Sequence, residues 1–178
     1  MKDVFFSLGS NIEPREKYLA AALSELNKNF KFISSSSLYS SSPVDDLAQS
    51  DFLNICCWYA VDLDDPFAIL NIVKKIEDNI GRQKNPLRPK GPRTIDIDII
   101  LIENVNIKTP KLTVPHVSYL NRNFVALPLL ELIKNVEKYS ELKNKLLRVV
   151  SENSNQQVNI VGEPIHGFAN KSFSENQE

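Results

Sequence analysis

Two aspartates one residue apart, Asp96 and Asp98, stand in the run Gly91-Pro92-Arg93-Thr94-Ile95-Asp96-Ile97-Asp98-Ile99-Ile100-Leu101-Ile102. Ile95, Ile97 and Ile99 alternate with Thr94, Asp96 and Asp98. That is the period of a β-strand, so both carboxylates project from one side. Aspartate is a poor strand former, and two like charges on one face repel each other. A positive group placed there offsets the repulsion. Mg2+ suits the position, being a hard cation usually held by one or two carboxylates together with substrate phosphates. The other reading of an isolated Asp-x-Asp is a solvated strand face that is simply acidic.

The residues just before the strand bear on that choice. Between Arg82 and Arg93 lie five basic residues, Arg82, Lys84, Arg88, Lys90 and Arg93, and no acidic one. Pro86, Pro89, Gly91 and Pro92 fall in the same segment and exclude a regular helix or central strand. A cationic loop feeding a carboxylate pair is what polyphosphate transfer requires. Cations neutralise the phosphate oxygens, and guanidinium forks grip them by paired hydrogen bonds.

The elements that must hold these groups follow from the hydrophobic pattern. A strand over residues 4–8 leads to Gly9-Ser10-Asn11, read as a tight turn, and Pro14 opens a helix whose Leu19, Ala22, Leu23 and Leu26 share one face. Gly9 is either a plain connector or a place where backbone meets ligand. Residues 31–39 read as a second strand and residues 40–51 as a long polar loop. Phe52–Val61 reads as a third strand, broken only by Asn54. That amide is either a structural hydrogen-bonding group or a reader of a heterocyclic amide edge. Asp65 and Pro66 cap a helix through Ile69, Ile72, Val73, Ile76 and Ile80, which Gly81 ends. After the Asp-x-Asp strand come His116, Arg122 and Phe124. Pro128 is read as the start of a third helix, residues 141–150 as a fourth, and 157–161 as a last strand. The order β-α-β-β-α-β predicts an α+β, ferredoxin-like sandwich with additional C-terminal helices. One face of its sheet is expected to carry helices and the other to be free for ligands.

The chain has 178 residues, enough for one domain with a real core. The expected domain covers residues 1–161, and 162–178, which include His166, read as a polar, weakly ordered tail. The net charge of −1 excludes a general nucleic-acid or membrane-surface binder, because the positive charge is local. No run of about 18 apolar residues is present, and no signal peptide is visible. Cys56 and Cys57 are adjacent in an apolar run, where a disulfide would be strained. They read as reduced packing residues, which places the protein in the cytoplasm.

Taken together, the motifs have the order and spacing of a known family. They are Ser7-Leu-Gly-Ser-Asn11, Tyr39-x-x-x-Pro43, Gln49-x-x-Phe52-Leu-Asn54, Glu77-x-x-x-Gly81-Arg82, Gly91-Pro-Arg-Thr-Ile-Asp-Ile-Asp98, and Pro115-His116 with Arg122-x-Phe124. Over about residues 1–150 the sequence resembles 6-hydroxymethyl-7,8-dihydropterin pyrophosphokinase, a magnesium-dependent transferase of folate biosynthesis. The resemblance implies ATP as donor, a reduced pterin alcohol as acceptor, and AMP and the pterin diphosphate as products. It implies two Mg2+ ions on Asp96 and Asp98, with Arg82 and Arg93 completing the catalytic set and an aspartate as a candidate acceptor of the hydroxyl proton. It assigns the pterin to Gly9, Ser41, Ser42, Val44, Phe52, Asn54 and Phe124. For ATP it implies phosphate contacts from Arg82, Arg93, His116 and Arg122, assisted by Lys84, Arg88 and Lys111. Glu77 joins the ATP set, and Leu70, Ile99, Leu112 and Thr113 lie near the adenine. The loops 40–51 and 82–92 resemble lids over the substrates.

The chain departs from the family pattern at Phe52, where tyrosine is common, at Lys84, where arginine is frequent, and at Lys90, where relatives often carry an aromatic. Its 82–93 loop is also one residue longer than in many relatives. A monomer or weak dimer is expected. The rival readings are a ferredoxin-like RNA-binding module, against which the net charge and the missing RNP consensus weigh, and a nucleotidyltransferase, which would release pyrophosphate instead of AMP.

Overall fold

A computed structural model describes residues 1–44, 46–82, 87–88 and 91–165. The chain runs β1 (Lys2–Ser10), α1 (Arg15–Asn29), β2 (Lys31–Ser35), β3 (Leu38–Ser41), β4 (Phe52–Val61), α2 (Pro66–Asn79) and β5 (Asp96–Ile102). A small hairpin of β6 (Ile107–Lys108) and β7 (Thr113–Val114) follows, then α3 (Asn123–Ile133), α4 (Ser140–Glu152) and β8 (Val158–Gly162). The main sheet has the order β5-β1-β4-β3-β8, with β2 also on β4. Its pairings are antiparallel. This is the α+β sandwich with the βαββαβ order expected from the sequence, extended by α3, α4 and β8.

Local chemistry explains the helix boundaries. Asp65 accepts a hydrogen bond from the Phe67 N–H (2.9 Å) at the start of α2, and Gly81, at φ +89°, ends it. Helix α3 begins at Asn123, and Pro128 lies inside it, not at its start. The start is fixed from outside the helix: the Asn123 N–H donates to Gln156 Oε1 (2.8 Å), and its side-chain amide donates to the Asn153 carbonyl (2.8 Å). Pro128 forgoes only the bond to the carbonyl four residues earlier.

Three further expectations are corrected. The segment 31–39 is two strands, because Ser36 leaves the ladder. Its N–H donates to the Cys56 carbonyl (2.9 Å), while its hydroxyl accepts from the Cys56 N–H (3.0 Å). Gly9 and Ser10 are not a turn but the end of β1, paired with Asn54 and Leu53 of β4. The sheet face opposite α1 and α2 is not bare. Phe5, Cys56 and Ile100 on it pack against Val125, Leu129, Leu146 and Val149 of α3 and α4. Only the end of that face near Gly9 stays open for a ligand.

The main core lies on the other side, where Phe6, Leu8, Ile55, Cys57 and Ile97 meet Leu19, Leu23, Ile69 and Val73. Each such side chain, fully buried, contributes roughly 1.5–3 kcal/mol. At the far edge, β8 runs to Gly162, and the Ile165 carbonyl accepts from Ser35 Oγ (2.9 Å). The chain is thus anchored past residue 161, while 166–178, with His166, lie outside the described residues. Among the described residues no helix is long and apolar enough to cross a membrane.

Glu131 ties α3 to the sheet. It accepts from the Ser37 N–H (3.0 Å) and hydroxyl (2.9 Å) and from the buried Tyr39 hydroxyl (2.7 Å). Glu131→Ala leaves these donors unmatched and should lower unfolding stability by about 1–3 kcal/mol. Urea denaturation reads this directly; an unchanged midpoint would show that the tie carries no weight.

A two-cleft candidate active site

Residues opposite one another in an antiparallel pair share a face, and the register sets two rows of functional side chains side by side. Gly9 pairs with Asn54 on one side and Asp96 on the other; Ser7 pairs with Cys56 and Asp98. These rows form the floor of a cleft with about 590 Å³ of empty space, part of it open to solvent. Ser41 and Ser42 from the end of β3, Val44 from the loop after it and Phe52 from β4 line it, as do Arg122 and Phe124 at the start of α3. All seven residues singled out for the flat heterocycle therefore meet here. Gly9 has a reason to be glycine: a Cβ would lie 3.2 Å from Asn54 Oδ1 and 3.7 Å from the Phe52 ring.

Asn54 is buried, and its amide donates to Ser41 Oγ (3.0 Å). The structural and the ligand-reading interpretations of this residue meet: the amide is anchored and also lines the cleft. Each aromatic carries a guanidinium on its ring, Arg93 over Phe52 at 5.4 Å and Arg122 over Phe124 at 5.7 Å.

The carboxylate pair lies on the floor. Asp96 Oδ1 faces Arg82 Nη1 (2.9 Å), and its Oδ2 faces Arg93 Nη1 (2.5 Å). Positive charge does offset the repulsion, and in this state it is supplied by arginine. Glu77 stands behind them, 1% exposed. It accepts from the Ile97 N–H (2.9 Å), pairs with Arg82 through the same oxygen, and takes Lys74 Nζ on the other (2.7 Å). A buried carboxylate with these three partners links α2, the start of the cationic loop and β5.

Asp98 is pushed up to about 7, first by desolvation and then by the charges of Asp96 and Glu77. Two oxygen-bearing groups on one face, with the strand's hydrophobic residues behind them, fit a hard cation. Among the described residues no group of three or more potential ligands is gathered to hold a metal. A carboxylate pair suits a hard ion that takes its remaining ligands from substrate or water, as Mg2+ does.

A second cleft, with about 720 Å³ of empty space, opens on the other side of Asp98. Leu70 of α2, Ile99 of β5, and Lys111, Leu112, Thr113 and His116 from around β7 line it. Asp98 borders both clefts. His116 Nδ1 accepts from the Ser118 N–H (3.2 Å), which leaves Nε2 for other partners. Burial first, and then Arg122, holds this imidazole below its ordinary range.

The residues expected for ATP are not all brought together. Arg88 lines neither cleft. It pairs with Asp46 (2.5 Å) and donates to the Ala48 carbonyl (2.8 Å), joining the two polar loops to each other. Glu77 is a buried support rather than part of either lining. Lys84, with Pro86, Pro89 and Lys90, lies outside the described residues.

Sequence reasoning assigned no role to Asn11, Ser7, Gln49 or Lys74. Asn11 Oδ1 accepts from the Arg93 N–H (2.8 Å), and its amide donates to Gln49 Oε1 (2.9 Å) and the Ser50 carbonyl (3.2 Å). It staples the end of β1 to both loops. Ser7, Asn11 and Gln49 stood inside quoted motifs, which was the available signal. Lys74 had one too, three residues before Glu77 on the same helix.

A family model described as 7,8-dihydro-6-hydroxymethylpterin-pyrophosphokinase matches residues 5–134. A 2-amino-4-hydroxy-6-hydroxymethyldihydropteridine pyrophosphokinase of Bacillus subtilis is 38% identical over 136 residues, covering 75% of this chain and 80% of that protein. The Bifunctional protein FolKE of Lactococcus lactis subsp. cremoris is 37% identical over 165 residues, 92% of this chain. The chain spans 46% of the length of that relative. The wild-type HPPK-DHPS of Plasmodium falciparum, crystallised with pteroate, superimposes with a TM-score of 0.64 at 18% identity. That match covers 86% of this chain and 44% of the other, and it shows a shared fold.

Asp98, half-buried between the two clefts and desolvated there, has a pH-dependent consequence. Between the ordinary value of 3.8 and about 7, the folded protein holds a proton that the unfolded chain has released. Stability of the metal-free protein therefore falls as pH rises through that window, and the loss is complete above it. Asp98→Asn should flatten this slope and melt above the wild type at about pH 8, with little difference near pH 4. Melting curves across pH decide it; parallel curves would contradict the desolvation.

Proposed function

The chain belongs to the 7,8-dihydro-6-hydroxymethylpterin-pyrophosphokinase family, and from that premise we propose that it transfers the terminal diphosphate of ATP to a 6-hydroxymethyl-7,8-dihydropterin. One observation carries this reading: two clefts of different character, one floored by amide and hydroxyl groups and walled by aromatics, the other lined partly by aliphatic residues, share Asp98 at their junction.

The flat bicycle lies in the first cleft against Phe52 and Phe124, which provide apolar ring area. Asn54, Ser41, Ser42 and the backbone beside Gly9 and Val44 read its polar edge, which gives selectivity for the heterocycle. The nucleotide occupies the second cleft, with its base near Leu70, Ile99, Leu112 and Thr113. His116, Lys111 and Arg122 reach its phosphates. The β-phosphorus then sits at the junction, where the pterin hydroxyl gives its proton to an aspartate carboxylate as its oxygen bonds to phosphorus, the bond to the bridging oxygen breaks and that oxygen departs with AMP, and the diphosphate moves intact.

Asp96 and Asp98 would hold two Mg2+ ions, which would supply charge neutralisation for the triphosphate. Arg82 and Arg93 neutralise Asp96, and their guanidiniums supply positive charge for the transferred phosphates, with Glu77 holding Arg82 at its base. Catalysis is mainly positioning and charge stabilisation, as phosphoryl transfer requires.

Product analysis with ATP, Mg2+ and the pterin alcohol tests the reaction. AMP and a pterin diphosphate are expected, and pyrophosphate release would favour a nucleotidyltransferase instead. Asp96→Ala should reduce turnover by about a thousandfold or more, as expected for loss of metal-based charge stabilisation; near-normal rates would refute the cation role. Phe124→Ala should weaken pterin binding by roughly tenfold, as lost ring contact predicts, and leave the ATP Kd within about twofold. Calorimetric titration of each substrate separates these outcomes.

A further inference from the structure

The start of α3 carries two of the residues that matter most to the proposed reaction, Arg122 and Phe124, and a side chain from far along the chain fixes it. Gln156 Oε1 accepts from the Asn123 N–H at 2.8 Å, and Gln156 Nε2 donates to the Asn121 carbonyl at 2.9 Å. One primary amide thus bonds to the backbone on both sides of Arg122. The support is itself held. The Gln156 N–H donates to the Asn153 carbonyl (2.9 Å), and the same carbonyl takes the Asn123 side-chain amide (2.8 Å). Asn153 is tied back to the Val149 carbonyl through its N–H (3.0 Å) and its side-chain amide (2.9 Å). Val149 is buried with Leu129 and Val125 in the core between α3, α4 and the sheet. The turn after α4 is therefore a rigid bracket standing on that core, with Gln156 as its arm.

The bracket also touches the site. Asn155, Gln156 and Gln157 line a side cavity that shares Ser41, Ser42, Val44 and Phe124 with the heterocycle cleft. Val149, Asn153, Asn155, Gln156 and Gln157 lie beyond residue 134, where the family model stops.

We propose that Gln156 is a positioning residue for the transfer reaction: by bracing both peptide groups that flank Arg122, it sets the direction of that guanidinium toward the triphosphate and of the Phe124 ring toward the pterin. The role is one of geometry, since Gln156 acts through the backbone of residues 121–123 and not on substrate. It rests on the pyrophosphokinase reading given above.

Two variants test it. Gln156→Met keeps the length and volume but loses both brace hydrogen bonds and the one from Gln156 Nε2 to Asn153 Oδ1 (3.3 Å). Gln156→Glu keeps the acceptor facing the Asn123 N–H and loses the donor to the Asn121 carbonyl. Both are assayed for AMP formation well below their melting midpoints, with the folded fraction checked by circular dichroism. Gln156→Met should lower kcat/KM for the pterin by roughly tenfold, the scale of two lost hydrogen bonds that aim a binding group. Its KM for ATP should rise, and Gln156→Glu should fall between it and the wild type. A purely structural role would lower the melting point and leave both KM values in place, and that result overturns the proposal, as does Gln156→Glu matching Gln156→Met.

Amide exchange at Asn123 in the free protein reads the brace independently of activity. Protection should be lost in Gln156→Met, and equal protection in both proteins also overturns the proposal. If the wild type makes no AMP, the functional reading falls by itself, while the exchange measurement still decides whether the brace exists.

Discussion

Two carboxylates held side by side on a strand, with a hydrophobic core behind them, are costly to keep charged, and the architecture around them answers that cost. Asp96 is neutralised on both oxygens by Arg82 and Arg93, while Asp98 is driven toward its neutral form by burial and by its acidic neighbours. Arg82 is in turn held by Glu77, whose carboxylate also caps the Ile97 N–H in the strand between the two aspartates. The partners come from three elements, so the charge balance exists only when α2, the arginine-bearing loop and β5 are docked together. Such a balance is poised for exchange.

The frame that holds this arrangement was largely visible in the amino-acid pattern. The isoleucine alternation around Asp96 and Asp98 put both on one face, and Asp65, Pro66 and Gly81 marked the ends of α2 by local chemistry that needs no tertiary partner. What escaped was decided by partners distant in sequence. Pro128 looks like a helix start by propensity, yet α3 begins at Asn123 because Gln156 and Asn153 supply acceptors for its donors. The segment 31–39 has unbroken strand character, and the interruption at Ser36 comes from a hydroxyl taking a backbone position opposite Cys56. Gly9 resembles a turn glycine in its local context, and only the register against Asn54 shows it to be an open patch of sheet.

The site shows the same division. The aspartates, Arg93, Arg122 and the aromatics singled out by residue type line one cleft. Asn11, Lys74 and Gln156 were given no role, since an amide or an ammonium that acts by bracing a neighbour has no signature until the neighbour is known. Arg88, expected at phosphate, pairs with Asp46 in this structure. A basic residue in a loop can be a fastener as readily as a ligand.

The adjacent thiols at the middle of β4 have a consequence of a different kind. Cys56 and Cys57 point to opposite faces of the sheet, each without exposed surface, and burial pushes both thiols well above their ordinary range. A maleimide or other alkylating reagent meets neither thiolate nor accessible sulfur while the sheet is intact. Cys57 is shielded by the α1–α2 layer and Cys56 by the α3–α4 layer, so the order in which the two become labelled would report which layer lifts off first. The molecule thus carries its own pair of chemical reporters, one for each half of the sandwich.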